Sequence, residues 1–333
     1  MIENNPTQLA GLDVGMGAIK MYSPVGGILI PSQVSLNGNQ QVGRMVGLRN
    51  QKPPMLITTE NGQFYVGPGA HDWGRPVENL DYDRLSGSPE MLALFLAALM
   101  HLLKDPGVES SKGLILYVGL PHELLSGEQA KEIQALIRRW MMGVHQWEVN
   151  RQLYGIEIIE VKFTSQAAAA VFDHSLNEQG QFLPHGRAIL KNESGVISIG
   201  FNTVELLVIR DKKPVQRFTT GVTAGVRRLL EIVNSQQMYS LGELDTLLRA
   251  GRLDIKDALP VWEREVTGVI ERYWGQSWKR FSSILLVGGG AALLKESLLH
   301  RFVGKATIPD DPVISIARGL YKLGLYQERR KRE

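Results

Sequence analysis

Apolar residues in this 333-residue chain fall into short runs bounded by glycine or proline and longer runs at helical spacing, which predicts an α/β protein. Gly11-Leu-Asp-Val-Gly-Met-Gly-Ala-Ile-Lys20 reads as a strand ending in Asp13, a tight turn through Gly15 and Gly17, and a second strand from near Ile19. Further strands are expected at Lys112–Leu120 (ended by Pro121), about Trp147–Leu153, about Gly155–Phe163, and from Ile284. Ser88-Pro89-Glu90 predicts the start of a helix reaching about Lys104, with Pro and Glu in its first turn. Ser126-Gly-Glu-Gln129 has capping-box spacing before a helix to about Trp140, and an alanine-rich helix is expected from Gln166 to about His174. The stretch from about Ser235 to Lys279 reads as wholly helical, and a closing helix is expected from about Asp311. Between Pro31 and Leu85 the pattern is irregular and rich in Gly, Pro, Asn and Gln, as in a small insertion.

The opening pattern recurs. A second meander is expected from near Ala188 to about Thr220, built on Val196-Ile-Ser-Ile-Gly-Phe-Asn-Thr-Val-Glu205 about 185 residues downstream. A third strand follows in both places, after Gly26-Gly27 and after Asp211-Lys-Lys-Pro214. Internal similarity of this kind indicates a duplicated fold. Aligning the copies sets Asp13 against Ser198, Gly15 against Gly200 and Lys20 against Glu205. The third motif, Ile284-Leu-Leu-Val-Gly-Gly-Gly-Ala-Ala292, is a buried strand running into a glycine loop and a helix.

These residue types suit phosphate chemistry. Glycine turns leave room for a phosphate against bare N–H groups. Asp13 at a strand end can hold a metal's water shell, and Lys20 can reach a phosphate oxygen. Gln166, where a strand turns into a helix, carries an amide that can orient water without abstracting a proton.

Two phosphate hairpins followed by a late Val-Gly-Gly-Gly loop resemble the actin/Hsp70/sugar-kinase superfamily, and the bacterial and archaeal actin-like branch in particular. The ending Ile316-Ala-Arg-Gly-Leu-Tyr-Lys-Leu-Gly324 is similar to the final helix of plasmid-segregating actins of the ParM type. The resemblance spans about residues 9 to 324. It implies an actin-like fold of two duplicated mixed-sheet domains with a nucleotide cleft between them. Domain I would comprise residues 1–187, with a variable insertion at about 32–87, completed by a C-terminal helix at about 311–333. Domain II would comprise residues 188–310, with a helical insertion at about 235–280.

The resemblance also implies ATP or GTP with Mg²⁺. Asp13 would hold the metal through water, joined by Glu205, and Gln166 would orient the attacking water. Nucleotide contacts are expected at Gly15, Met16, Gly17 and Lys20 of the first hairpin, and at Ser198, Gly200, Phe201, Asn202 and Thr203 of the second. Further contacts are expected at Gly221, Gly225, Gly288, Gly289, Gly290 and Ala291, with base contacts from Arg227, Arg252 or Lys256. Ser198 departs from the family, which places Asp there, so slower hydrolysis is expected.

The implied activity is an ATPase that polymerises head-to-tail and segregates plasmid DNA through a centromere-binding adaptor. The alternatives are a nucleotide-gated scaffold of the division or pilus type and a small-molecule kinase or phosphatase. Fold alone does not separate these.

Composition narrows the rest. With no cysteine, disulfides, thiolate metal sites and cysteine nucleophiles are excluded. The net charge is +3, of which the last eight residues supply +2 (four Lys/Arg, two Glu), so no concentrated basic face is expected and no direct DNA binding. The longest apolar run, Met91–Leu103, has 13 residues, short of the roughly 20 a membrane span requires, so no membrane association and a cytoplasmic location are expected.

Overall fold

In the computed structural model, which describes residues 8–38, 52–78, 82–104 and 107–332, alternating runs pair into two sheets with the same central order. The first half begins β1 (Gln8–Val14), β2 (Ala18–Ser23) and β3 (Gly26–Pro31). The insertion follows as β4 (Val34–Asn37), β5 (Met55–Thr59), β6 (Gly62–Val66) and β7 (Gly74–Pro76). Then come α1 (Pro89–Leu103), β8 (Leu114–Leu120), α2 (Ala130–Met141), β9 (Gly143–Val149) and β10 (Gln152–Ser165). Among the described residues these strands form a ten-stranded sheet in the order β3-β2-β1-β8-β10-β9-β5-β6-β4-β7. The irregular insertion is thus not separate: β5 pairs antiparallel with β9 and extends the main sheet. Residues 39–51 and 79–81 of that insertion lie outside the described residues.

The second half follows α3 (Gln166–Ser175) and α4 (Gly186–Lys191). Its strands are β11 (Ser194–Ile199), β12 (Val204–Arg210), β13 (Lys213–Pro214) and β14 (Thr220–Val222). Helices α5 (Val226–Val233), α6 (Leu241–Arg249) and α7 (Leu259–Trp274) precede β15 (Ser283–Val287), α8 (Gly289–Leu293), α9 (Lys295–Arg301), β16 (Ala306–Thr307) and α10 (Ser315–Arg332). The sheet order β13-β12-β11-β15-β16 repeats β3-β2-β1-β8-β10, with an antiparallel hairpin followed by two parallel strands in each.

Each half has its own apolar core, α1 lying over the first sheet and α7 within the second. A third cluster joins them through α3 and α10, drawing Tyr117, Val196, Leu285 and Leu320 together. The alanines of α3 let α10 approach until a Cβ at Gly319 would lie 1.9 Å from the Ala169 carbonyl oxygen. Asp173 is buried at this crossing and accepts hydrogen bonds from Arg318 Nε (2.6 Å), Ser315 Oγ (2.7 Å) and Lys322 Nζ (3.0 Å). A buried acid surrounded this way is held charged, and its carboxyl is kept below the usual range against the cost of burial.

Several local expectations give way to tertiary context. Ser126 forms no cap, because α2 starts only at Ala130 with Gln129 before it, and the Ser126 hydroxyl donates to the His122 carbonyl (3.0 Å) at the end of a 3₁₀ turn at His122–Leu125. The hairpin after α2 turns at Asn150 and Arg151, both at positive φ, so β9 begins at Gly143 and β10 runs on to Ser165. Ala188 lies in α4, with β11 starting at Ser194, and the region 235–279 is helical but broken between α6 and α7. The last helix starts at Ser315, where Asp311 Oδ1 accepts the N–H groups of Val313 (3.1 Å) and Ile314 (3.2 Å).

Candidate functional site

Strand register assembles the site. On β1, Asp13 pairs with Lys20 of β2 on one side and with Gly119 of β8 on the other. Gly119 in turn pairs with Thr164 of β10, which brings the start of α3 over the end of β1. Lys20 Nζ therefore donates to Asp13 Oδ2 (2.8 Å) and Gln166 Nε2 to Asp13 Oδ1 (2.6 Å). Ser165 Oγ caps α3 by accepting the Ala168 N–H (3.1 Å), which fixes Gln166 as the first residue of the helix. Asp13 is 1 % exposed, and both its oxygens are satisfied.

The second hairpin has the same register with other chemistry. Ser198 pairs with Glu205, as Asp13 does with Lys20. Glu205 is 2 % exposed; its Oε1 accepts the His122 N–H (2.6 Å), and its Oε2 has no partner among the described residues. Burial pushes this carboxyl up to about 7, the His122 N–H opposes the rise, and the charges of Asp13 and Glu123 add to it. Glu205 consequently holds or loses a proton near neutral pH.

The two hairpin tips face each other across a cavity of about 240 Å³. Its lining includes Asp13, Gly15, Met16, Gly17, Lys20 and Gln166 from the first half. Ser198, Gly200, Phe201, Asn202, Thr203, Gly288 and Gly289 line it from the second. Phe201 packs so closely on Gly17 that a Cβ there would sit 2.6 Å from the ring, so glycine is required at this tip. Gly288, at φ +92°, turns β15 into α8 under the Ile199 carbonyl.

Not every expected contact reaches the cavity. A Cβ at Gly225 would collide with the Phe201 carbonyl (2.4 Å), and α5 spends its first N–H groups on the second hairpin: Val226 N–H on Gly200 O (3.0 Å), Arg227 N–H on Phe201 O (2.7 Å). Gly221 sits on β14 beside Glu205. Gly290 is pressed on the Ile199 side chain and Ala291 is fully buried; Ala292 and Leu293 line the cavity instead. These four positions pack the hairpin and loop, and none of them lines the cavity. The expected base-contacting cations also lie elsewhere. Arg227 is bound to Glu231 on the helix surface, and neither Arg252 nor Lys256 lines the cavity. Asp245, Leu248 and Arg249 of α6 do line it. Sequence reasoning passed over them, because only the packing of α6 reveals its inward face.

Among the described residues no cluster of three or more His, Asp or Glu side chains could cage a metal ion. The cavity itself offers Asp13; Glu205, expected beside it, does not line the cavity, although its buried Oε2 has no partner among the described residues and its carboxyl feels the charge of Asp13. That set fits a cation held mainly by phosphate and water, the usual habit of Mg²⁺.

Paired hairpins meeting over a cleft, a strand-to-helix glycine loop and a helix crossing between two sheets define the actin-like fold. Residues 11–168 match the family model of the N-terminal domain of actin-like proteins. The apo ParM protein of pSK41 superposes with a TM-score of 0.74 at 16% identity, over 98% of this chain and 99% of that one. A ParM from a 15-stranded filament of Clostridium botulinum gives 0.71 at 20% identity, over 96% and 99%. An archaeal actin homologue in complex with ADP gives 0.67 at 17% identity, over 98% and 100%. No curated protein sequence matches the chain. The chain is therefore an actin-like protein in its fold, similar to bacterial ParM proteins and to an archaeal actin homologue.

Proposed function

We propose that the cleft binds ATP or GTP with Mg²⁺, that nucleotide-bound subunits polymerise head-to-tail, and that hydrolysis weakens the polymer. The observation that carries this reading is the Asp13–Lys20–Gln166 cluster at the tip of one hairpin, directly facing the second. Lys20 would neutralise phosphate charge. Asp13 and the buried Glu205 would hold the water shell of Mg²⁺, whose chemistry is to neutralise the phosphates in the transition state. Gln166 is oriented by donating one N–H to Asp13, and its carbonyl oxygen would accept a hydrogen bond from the attacking water. The ADP bound to the archaeal homologue and the filament of the clostridial ParM support nucleotide binding and self-assembly. A head-to-tail interface generates a filament from one subunit type.

By the same likeness to ParM proteins, the cargo would be plasmid DNA held through a centromere-binding adaptor in the cytoplasm, and the modest net charge fits an adaptor better than direct contact. No helix among the described residues is long and apolar enough to cross a membrane. One observation favours a second reading: Ser198 brings no charge to the second hairpin, and a nucleotide-gated scaffold needs no rapid hydrolysis.

Light scattering of purified protein against concentration, with Mg-ATP, with Mg-GTP and without nucleotide, tests the proposal alongside negative-stain microscopy. Filaments above a sharp, nucleotide-dependent critical concentration are expected. Tight nucleotide binding with no polymer at any concentration would leave the scaffold, and no nucleotide binding would overturn both readings.

A further inference from the structure

Helix α6 forms a wall of the cleft, and it comes from the second half while touching the first. At its start, the Gly242 N–H donates to Glu78 Oε1 (3.1 Å) and the Gly242 carbonyl accepts from Gln33 Nε2 (2.9 Å). At its end, Arg249 Nε donates to Asp245 Oδ2 (2.7 Å), one turn earlier, and Arg249 Nη2 reaches the Gly17 carbonyl at the first hairpin's tip (3.4 Å). Asp245 is 5 % exposed and Arg249 about a third exposed. Burial raises the Asp245 carboxyl, and the charges of Arg249 and of Lys20 in the first hairpin draw it back down.

Lys20 and Arg249 are the two cations among the residues lining the cleft, and Lys20 is already paired with Asp13. A triphosphate brings more negative charge than one paired lysine offsets. Arg249 has the geometry to supply the rest. Its guanidinium is anchored on one edge by a buried carboxylate, it meets a carbonyl oxygen at the long end of hydrogen-bond range, and its Nη1 has no partner among the described residues. A planar fork held on one edge matches phosphate oxygens on the other.

We propose that Arg249 reads the terminal phosphate of the bound nucleoside triphosphate, exchanging the Gly17 carbonyl for a phosphate oxygen while Asp245 holds its Nε. Asp245 is then a positioning residue. The same helix carries the contacts to Gln33 and Glu78 at the junction of the two halves. This inference rests on the nucleotide reading above.

The test is equilibrium binding of fluorescent di- and triphosphate nucleotides with Mg²⁺ to the full-length protein and to Arg249→Gln, Arg249→Lys and Asp245→Asn. Thermal unfolding of each verifies its fold. Arg249→Gln should weaken triphosphate binding about tenfold or more while leaving diphosphate binding within about twofold. Arg249→Lys should recover part of the loss, and Asp245→Asn should lower the triphosphate preference by a smaller factor. Equal losses for both nucleotides would place Arg249 on the ribose or base, and unchanged affinities would remove it from the site; either overturns the inference. If the unsubstituted protein binds neither nucleotide, the nucleotide reading itself fails.

Discussion

The first hairpin sets Asp13 opposite Lys20, and the second sets Ser198 opposite Glu205 at the equivalent rung. The backbone has been copied faithfully, down to an antiparallel pair followed by a parallel neighbour. The chemistry has not. In the first half a buried acid is paired with a lysine on one oxygen and an amide on the other. In the second, a buried acid has one backbone N–H on one oxygen and, among the described residues, nothing on the other, and it faces a neutral hydroxyl-bearing residue. A duplicated scaffold can therefore keep its geometry while the two copies differ in chemistry, one presenting the paired charges that would handle phosphate and the other an acid poised to titrate. Between them, Gly319 against Ala169 and Asp173 against Arg318 and Lys322 hold the halves on a common pair of helices.

Substitutions at four positions bear on that contrast. Asp13→Asn should have the largest effect, lowering phosphate release by about 10²–10³-fold in a steady-state assay, on the scale of losing one preorganised transition-state contact. An equal loss from Ser198→Ala would erase the distinction between the hairpins. Glu205→Gln comes next and is read in stability. A buried carboxyl raised from 4.5 to about 7 favours the folded state while protonated, and that favour is lost as pH rises from about 4.5 to 7. The penalty above pH 7 is about 3 kcal/mol. Thermal melts at pH 5 and pH 8 should show the natural protein losing more stability across this interval than Glu205→Gln does. Identical losses would mean that Glu205 is not strained by its burial.

Gln166→Ala should slow phosphate release about 10–100-fold, with nucleotide affinity changed far less, because a water-orienting group acts mainly in the transition state. A loss confined to affinity would make it a binding residue. Ser198→Asp should give the smallest change, raising phosphate release about tenfold or less as the second hairpin gains a carboxylate. If Ser198→Asp has no effect while Glu205→Ala abolishes hydrolysis, Glu205 has taken over that role.

The duplicated hairpins were legible because glycine turns and strand alternation are local, and the register that pairs Asp13 with Lys20 follows from a turn of fixed length. The glycine loop after β15 was legible for the same reason. What escaped was set by local turns that carry no glycine or cap signal, or by packing against segments far along the chain. Ser126 has cap spacing, yet the 3₁₀ turn at His122–Leu125 takes its hydroxyl. The turn at Asn150 and Arg151 adopts positive φ without a glycine to mark it. Gly225 and Gly290 resemble ligand-contacting glycines, but tight packing against the second hairpin already explains them. Asp245 and Arg249 look like an ordinary surface pair at i, i+4, and only the seating of α6 across the cleft turns them inward.

In the proposed function Asp13 of the first hairpin would carry most of the hold on Mg²⁺, with Glu205 of the second in support. Calorimetric titration of the nucleotide into the natural protein and into Asp13→Asn, each with Mg²⁺ and with chelator, tests it most directly. The natural protein should bind more tightly with Mg²⁺, and Asp13→Asn should lose that dependence while keeping its fold. An undiminished Mg²⁺ dependence in Asp13→Asn would contradict the account.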